Sequence, residues 1–147
     1  MGTFEFDGEK YQKASRHQLE WGNKLISQLS LKGNETILDL GCGDGALTAQ
    51  LAMLVPDGAA KGIDASLGMI ETAHKHEEKN LQFAQMNIDC MDFENEFDVI
   101  FSNAALHWIK DHEKLLRHSW RALKENGVIL WNFAEEHSGK PERYFPE

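Results

Sequence analysis

Cysteine, proline and arginine are scarce in this chain, and long apolar runs are absent. Cys42 and Cys90 are its two cysteines. Such a pair builds neither a disulfide framework nor, by itself, a zinc site, so a reducing cytoplasm is the expected home. No apolar stretch approaches the roughly 20 residues that span a bilayer, so no membrane partner is expected. Residues 1–10 are mixed and acidic, unlike a cleavable leader. Arginine occurs only at positions 16, 117, 121 and 143, in a chain of net charge −9. No basic stripe exists, and nucleic acid is not expected as a partner. A small anionic ligand stays open, since it needs only one or two local cations. The histidines hold no metal pattern either. His74 and His76, two apart, and His112 and His118, six apart, diverge on a helix.

What is present reads as one soluble domain. Apolar residues make up 41% and charged residues 27% of 147, ordinary for a chain long enough to bury a core. Residues 1–10 read as a flexible tail and 11–134 as the domain. Residues 135–147, rich in Gly, Pro and charge, read as an irregular tail. Trp21, Leu25 and Leu29 recur four apart, predicting an amphipathic leader helix over 11–31. Strands are predicted over 36–40, 60–63, 81–86, 97–102 and 128–133. The helices between them carry Leu47, Leu51 and Leu54, then Met69, Ile70 and Ala73 behind a Ser66 cap, then Leu116, Trp120 and Leu123 behind an Asp111 cap. Alternation of this kind makes a doubly wound α/β fold, a parallel sheet with helices on both faces. Right-handed crossovers give the order 3-2-1-4-5. Ligands then belong over the carboxyl ends of strands 1, 2 and 4. The outer edge of strand 5 is expected to be bare, which favours self-association through that edge.

Chemistry concentrates in Thr36-Ile37-Leu38-Asp39-Leu40-Gly41-Cys42-Gly43-Asp44-Gly45. It is a buried strand with an acid near its end, followed by glycines at alternate positions. Asp64 ends the next strand. A glycine loop with an acid about 20 residues on is the logic of a nucleotide-ribose site. The spacing is not the dinucleotide G-x-G-x-x-G but D-x-G-x-G-x-G. An acid ahead of the first glycine repels a pyrophosphate and suits a ligand carrying an ammonium group. S-adenosylmethionine has that group, a ribose and no phosphate. A nicotinamide-dependent oxidoreductase is the alternative, and the glycine spacing argues against it.

The chain resembles class I S-adenosylmethionine-dependent methyltransferases. The resemblance rests on residues 37–45, on Gly62-Ile63-Asp64-Ala65-Ser66 with Met69 following, and on Phe97-Asp98-Val99-Ile100. Asn103-Ala104-Ala105-Leu106-His107-Trp108 is similar to a narrower subgroup, the trans-aconitate and malonyl-acyl-carrier-protein methyltransferases. The resemblance spans roughly 11–134 and implies a Rossmann-like fold, here without the family's strands 6 and 7. It implies that Asp39 and the loop Gly41, Cys42, Gly43 and Gly45 hold the methionine amine and underlie the ribose. Asp64 would accept from the ribose hydroxyls, and Ala65 and Met69 would line the adenine. Asn87, where the family often has Asp, and Ile88 would meet the adenine edge. Asn103 and Ala104 would sit by the methionine portion, and Tyr11 would fold over the cofactor.

Plainer readings stand beside these. Asp64 also suits a helix cap, Met69 a core position, Tyr11 an anchor for the leader helix, and Cys42 simple packing. Arg16, about a turn after Tyr11, is a candidate for a cofactor or acceptor carboxylate; an ordinary exposed arginine is its alternative. Arg117 and Arg121 read as a solvated face. His107 is the one candidate general base, and with Trp108 it is a candidate acceptor contact. The resulting expectation is a small-molecule methyltransferase, with O-methylation of a carboxylic acid as its chemistry. The alternative is a cofactor-binding module, or fragment, that needs a partner.

Overall fold

The computed structural model describes residues 8–103, 105–106, 109–132 and 142–144, without the side chains of 8–15 and 142–144. Six strands form one sheet in the order β3-β2-β1-β4-β5-β6. They are β1 Thr36–Leu40, β2 Ala59–Asp64, β3 Leu81–Gln85, β4 Phe97–Asn103, β5 Leu123–Asn132 and β6 Glu142–Tyr144. The first five pair in parallel, in the order the alternation predicts. Among the described residues four α-helices accompany them: α1 Gly8–Ile26, α2 Ala46–Leu54, α3 Leu67–Ala73 and α4 His112–Ala122. No helix among the described residues is long and apolar enough to cross a membrane.

β1 is central, and its side chains alternate between two cores as the strand period requires. Ile37 faces one core with Leu25 of α1, Leu51 of α2 and Phe101. Leu38 and Leu40 face the other, with Ile63, Phe97, Leu115 of α4 and Trp131. Asp39 lies in phase with Ile37 and so points toward α2, a placement that shapes the whole site. Both expected caps form. Ser66 Oγ accepts from Met69 N at 3.2 Å, and Asp111 Oδ1 accepts from Lys114 N at 2.9 Å. Each satisfies a backbone donor that the first helical turn leaves over.

Three expectations change. α1 begins at Gly8, inside the stretch read as a flexible tail, and ends at Ile26 rather than at 31, because Leu29 and Leu31 reach the core from the turn that follows. β5 begins at Leu123, with Lys124 to Gly127 bulging opposite Asp98 before the register resumes at Val99 and Val128; Asn126, at φ +67°, and Gly127 make the bend. The β5 edge is not bare. Glu142–Tyr144, in the tail read as irregular, pairs antiparallel with Ile129 to Trp131. Short, polar edge strands of this kind blunt a sheet edge, so the argument for self-association through β5 loses its footing there.

Candidate functional site

A cavity of about 420 Å³ opens over the carboxyl ends of β1 and β4, between the 41–45 loop and α1. The loop is lashed to β2. Gly41 N and Cys42 N both donate to Ile63 O, at 2.9 and 3.0 Å, and Gly43 N donates to Asp64 Oδ2 at 2.9 Å. The loop turns through positive φ at Gly41, Gly43 and Gly45, +72°, +57° and +84°. At Gly45 a Cβ would lie 2.7 Å from the Phe83 ring and 3.1 Å from Ala73, so this glycine lets α2 close on the sheet. Gly43 is different: a Cβ there would meet nothing within 4 Å. The backbone at Gly43 is bare toward open space, which leaves room for a ligand to approach it closely.

Asp39 is 3% exposed, and its Oδ2 accepts from Thr48 Oγ1 at 2.7 Å. Burial pushes its carboxyl up to about 7; the Thr48 hydrogen bond opposes the rise and the charge of Asp64 adds to it. A carboxylate held this way gains most from a cationic partner. Asp64 anchors both the loop and the turn that leads into α3, since its Oδ1 accepts from Ser66 N at 2.9 Å, while Ser66 itself is the cap. Each of its oxygens retains a second lone pair for a ligand hydroxyl. Burial pushes the Cys42 thiol upward, with the charges of Asp39 and Asp64 adding. Cys42 therefore lines the cavity as an inert packing group rather than a nucleophile.

Of the expected site residues, Asp39, Gly41, Cys42, Gly43, Met69, Asn103 and Arg16 line this cavity. Met69 is 40% exposed while its neighbour Ile70 is 2% exposed, which separates the cavity-lining residue from the core one. Gly45 supports the loop from beneath. Asp64, Ala65, Asn87 and Ile88 lie outside the enclosed space, along the carboxyl ends of β2 and β3. The Asn87 side chain caps the short turn after β3, accepting from Asp89 N at 2.9 Å. Ala104, His107 and Trp108, and the side chain of Tyr11, lie outside the described residues.

Sequence reasoning missed several groups. Thr48 is one; its signal is a polar residue on the apolar face of α2 shared with Leu51 and Ala52. Gln18 and Leu19 of α1, and Ala46 and Leu47 of α2, also line the cavity, beside Asp44 of the expected loop. Asn103 has an unforeseen task. Its Nδ2 donates to Gln18 O at 3.0 Å, and its Oδ1 accepts from Asn132 Nδ2 at 2.7 Å. The amide pins α1 to β4 and β5, and so fixes Arg16 two residues upstream. Arg16 is the only cation among the described residues lining the cavity, and it forms no ion pair among them.

The residues fit S-adenosylmethionine on their own geometry. A buried carboxylate short of hydrogen bonds suits an ammonium. A second carboxylate with free lone pairs at the end of β2 suits a diol, and an open glycine lies between them.

Comparison with known proteins agrees. A family described as a methyltransferase domain matches residues 31–141. The chain is 39% identical over 101 residues to a trans-aconitate 2-methyltransferase of Deinococcus radiodurans, covering 69% of this chain and 38% of that one. It is 32% identical over 132 residues to a malonyl-[acyl-carrier protein] O-methyltransferase of Acetivibrio thermocellus, covering 88% and 47%. The chain thus spans less than half the length of these curated relatives. A solved S-adenosylmethionine dependent methyltransferase from Mesorhizobium loti superposes with a TM-score of 0.68 at 22% identity, over 84% of this chain and 62% of that one; that likeness speaks for the fold. With the family match spanning most of the domain, on the strand order and glycine loop already described, the chain belongs to the class I S-adenosylmethionine-dependent methyltransferases.

Proposed function

We propose that this chain binds S-adenosylmethionine and directs its methyl group to a carboxylate oxygen of a small organic acid. The observation that carries the acceptor class is Arg16. Among the described residues it forms no ion pair, and the other charged residues described in the cavity wall are Asp39 and Asp44, so it is the one described group there that attracts an anion. A guanidinium binds a carboxylate bidentately and fixes its plane. The names of the two relatives, an aconitate and a malonyl methyltransferase, support the same class.

In this reading Asp39 accepts from the methionine amine and Asp64 from the ribose hydroxyls, while Met69, Ala65, Asn87 and Ile88 border the adenine. S-adenosylmethionine, when bound, supplies a methyl group on a positively charged sulfur. A carboxylate is already a nucleophile and needs no base. The chain then contributes alignment, which supplies roughly 7–11 kcal/mol in well-oriented systems. Asn103 matters through position, because it holds the helix that carries Arg16. Free cysteines, Cys42 buried and Cys90 exposed, accord with a cytoplasmic setting.

The test is transfer of labelled methyl from S-adenosylmethionine to a panel of di- and tricarboxylic acids. A product that releases methanol in mild base is a methyl ester and supports the reading. Label that appears only in base-stable products refutes carboxylate methylation. A chain that binds the cofactor with no transfer to any acid is a binding module.

A further inference from the structure

Thr48 is fully buried, at 0% exposure, and does not line the cavity. A hydroxyl so deep needs a partner. Threonine within a helix commonly bonds the backbone carbonyl three or four residues back. Here the hydroxyl reaches off α2 instead and donates to Asp39 Oδ2 on β1, at 2.7 Å. Among the described residues no other hydrogen bond engages either side chain. The two oxygens of Asp39 therefore differ. Oδ2 is engaged by Thr48. Oδ1 takes no hydrogen bond, yet it is not sealed inside the protein, so it opens onto the cavity that Asp39 lines.

We propose that Thr48 is a positioning residue for the cofactor: from outside the cavity its hydroxyl turns Asp39 so that Oδ2 faces α2 and Oδ1 faces the methionine ammonium. The proposal rests on the reading of Asp39 as the partner of that ammonium. A donor aimed at a carboxylate also favours its charged form. Burial and the charge of Asp64 favour the proton on Asp39, and the Thr48 hydrogen bond opposes both. The other ionisable groups described around the cavity are Cys42 and Asp44 of the loop and Arg16 on α1, and Thr48 bonds to none of them. One hydroxyl thus ties α2 to β1, sets the plane of the carboxylate and holds its charge ready for a cation. A staple that served stability alone would use the same bond. It would leave the preference among ligands, and its dependence on pH, where they were.

Calorimetry with two probes tests this, with circular dichroism confirming that each variant folds. S-adenosylhomocysteine, the demethylated cofactor, keeps the ammonium. 5′-Methylthioadenosine is a thioether like it but lacks the amino acid portion. Thr48→Val keeps the shape of the side chain and removes the hydroxyl; Thr48→Ala removes it with less bulk and carries the same expectation. Either should weaken S-adenosylhomocysteine roughly three- to tenfold at pH 7 and leave methylthioadenosine within about twofold. The deficit should shrink toward pH 9, where Asp39 ionises without help. Thr48→Ser keeps the donor and should restore both affinity and pH profile. In an Asp39→Asn background, Thr48→Val should cost less than about twofold, because its effect runs through Asp39. Equal losses for the two probes, a loss that Thr48→Ser does not recover, or undiminished S-adenosylhomocysteine binding without the hydroxyl would each overturn the proposal. If Asp39→Asn alone still weakens that ligand, the reading of Asp39 stands and only the role of Thr48 falls. If Asp39→Asn binds it as the parent does, both fall.

Discussion

Replacing Asp39 by Asn should make the unliganded protein more stable at pH 8 while weakening its hold on S-adenosylmethionine. Asp39 lies at about 7, against 3.8 for an exposed aspartate, chiefly because it is buried. Each tenfold change in proton affinity is about 1.4 kcal/mol. Ionising this group inside the fold therefore costs at most about 4 kcal/mol at pH 8, and relaxation around the cavity reduces that to roughly 1–3 kcal/mol. The sign follows from linkage. Between about pH 4 and pH 7 the unfolded chain releases this proton while the folded chain keeps it. Stability contributed by the protonated group is complete below that window, falls as pH rises through it, and is level above it. Asn carries no proton to lose, and its amide oxygen still accepts from Thr48 Oγ1. Urea unfolding at pH 4.5 and pH 8 should show the variant gaining at the higher pH and losing the parent's downward slope. Calorimetry should show cofactor affinity falling roughly ten- to hundredfold, the worth of a hydrogen bond between charged groups. Parent affinity should rise from pH 6 to pH 8 as Asp39 ionises, and Thr48→Val should move that rise to higher pH. A variant with the parent's pH slope and undiminished affinity would refute the assignment of Asp39 as the ammonium partner.

Three further tests probe the rest of the site. Asp64→Ala should keep the fold and lose about 1.5–3 kcal/mol of cofactor binding, the value of hydrogen bonds to an ionised group; unchanged affinity by calorimetry would reduce Asp64 to its backbone contacts with Gly43 and Ser66. Arg16→Lys should weaken acceptor or cofactor binding severalfold, whereas Arg117→Lys, which keeps its charge on the far side of the sheet, should not; equal effects on KM and Kd would remove Arg16 from the site. Gly43→Ala should destabilise by about 1–2 kcal/mol through its left-handed backbone alone, whereas Gly45→Ala adds roughly 1–3 kcal/mol of crowding against Phe83 and Ala73. Equal urea midpoints for these two variants would contradict the distinction between an open and a packed glycine.

The parallel core was legible because its strands are buried on both faces and carry short apolar runs, as in Val99-Ile100-Phe101 and Ile37-Leu38. Caps were legible because Ser66 and Asp111 act within three residues. The end of α1, the partner of Asp39 and β6 escaped detection because each depends on contacts distant in sequence. Leu29 continues the spacing of Trp21 and Leu25 yet lies beyond the end of α1, because a turn can bury it as well as a helix can. β6 is three polar residues whose strand state exists only through Ile129, Leu130 and Trp131.

The same distinction governs the site. Asp39 and the glycines are adjacent in sequence and announce a ligand loop, but Thr48 becomes Asp39's partner only when α2 folds back over β1. Asn103 is in phase with the core strand it ends, and nothing nearby in sequence marks Gln18 and Asn132 as its partners. Asp64 shows why choosing between a structural and a functional role misleads. Its two oxygens hold Gly43 N and Ser66 N, so the group that shapes the loop is also a group with lone pairs left to accept from the proposed ligand. Removing it should therefore loosen the loop and remove a ligand contact together. Asp64→Asn separates the two effects, because one oxygen remains to accept a hydrogen bond while the charge is gone. If loop anchoring dominates, Asn restores most of the affinity that Ala loses. If charge at the ribose dominates, Asn binds nearly as weakly as Ala.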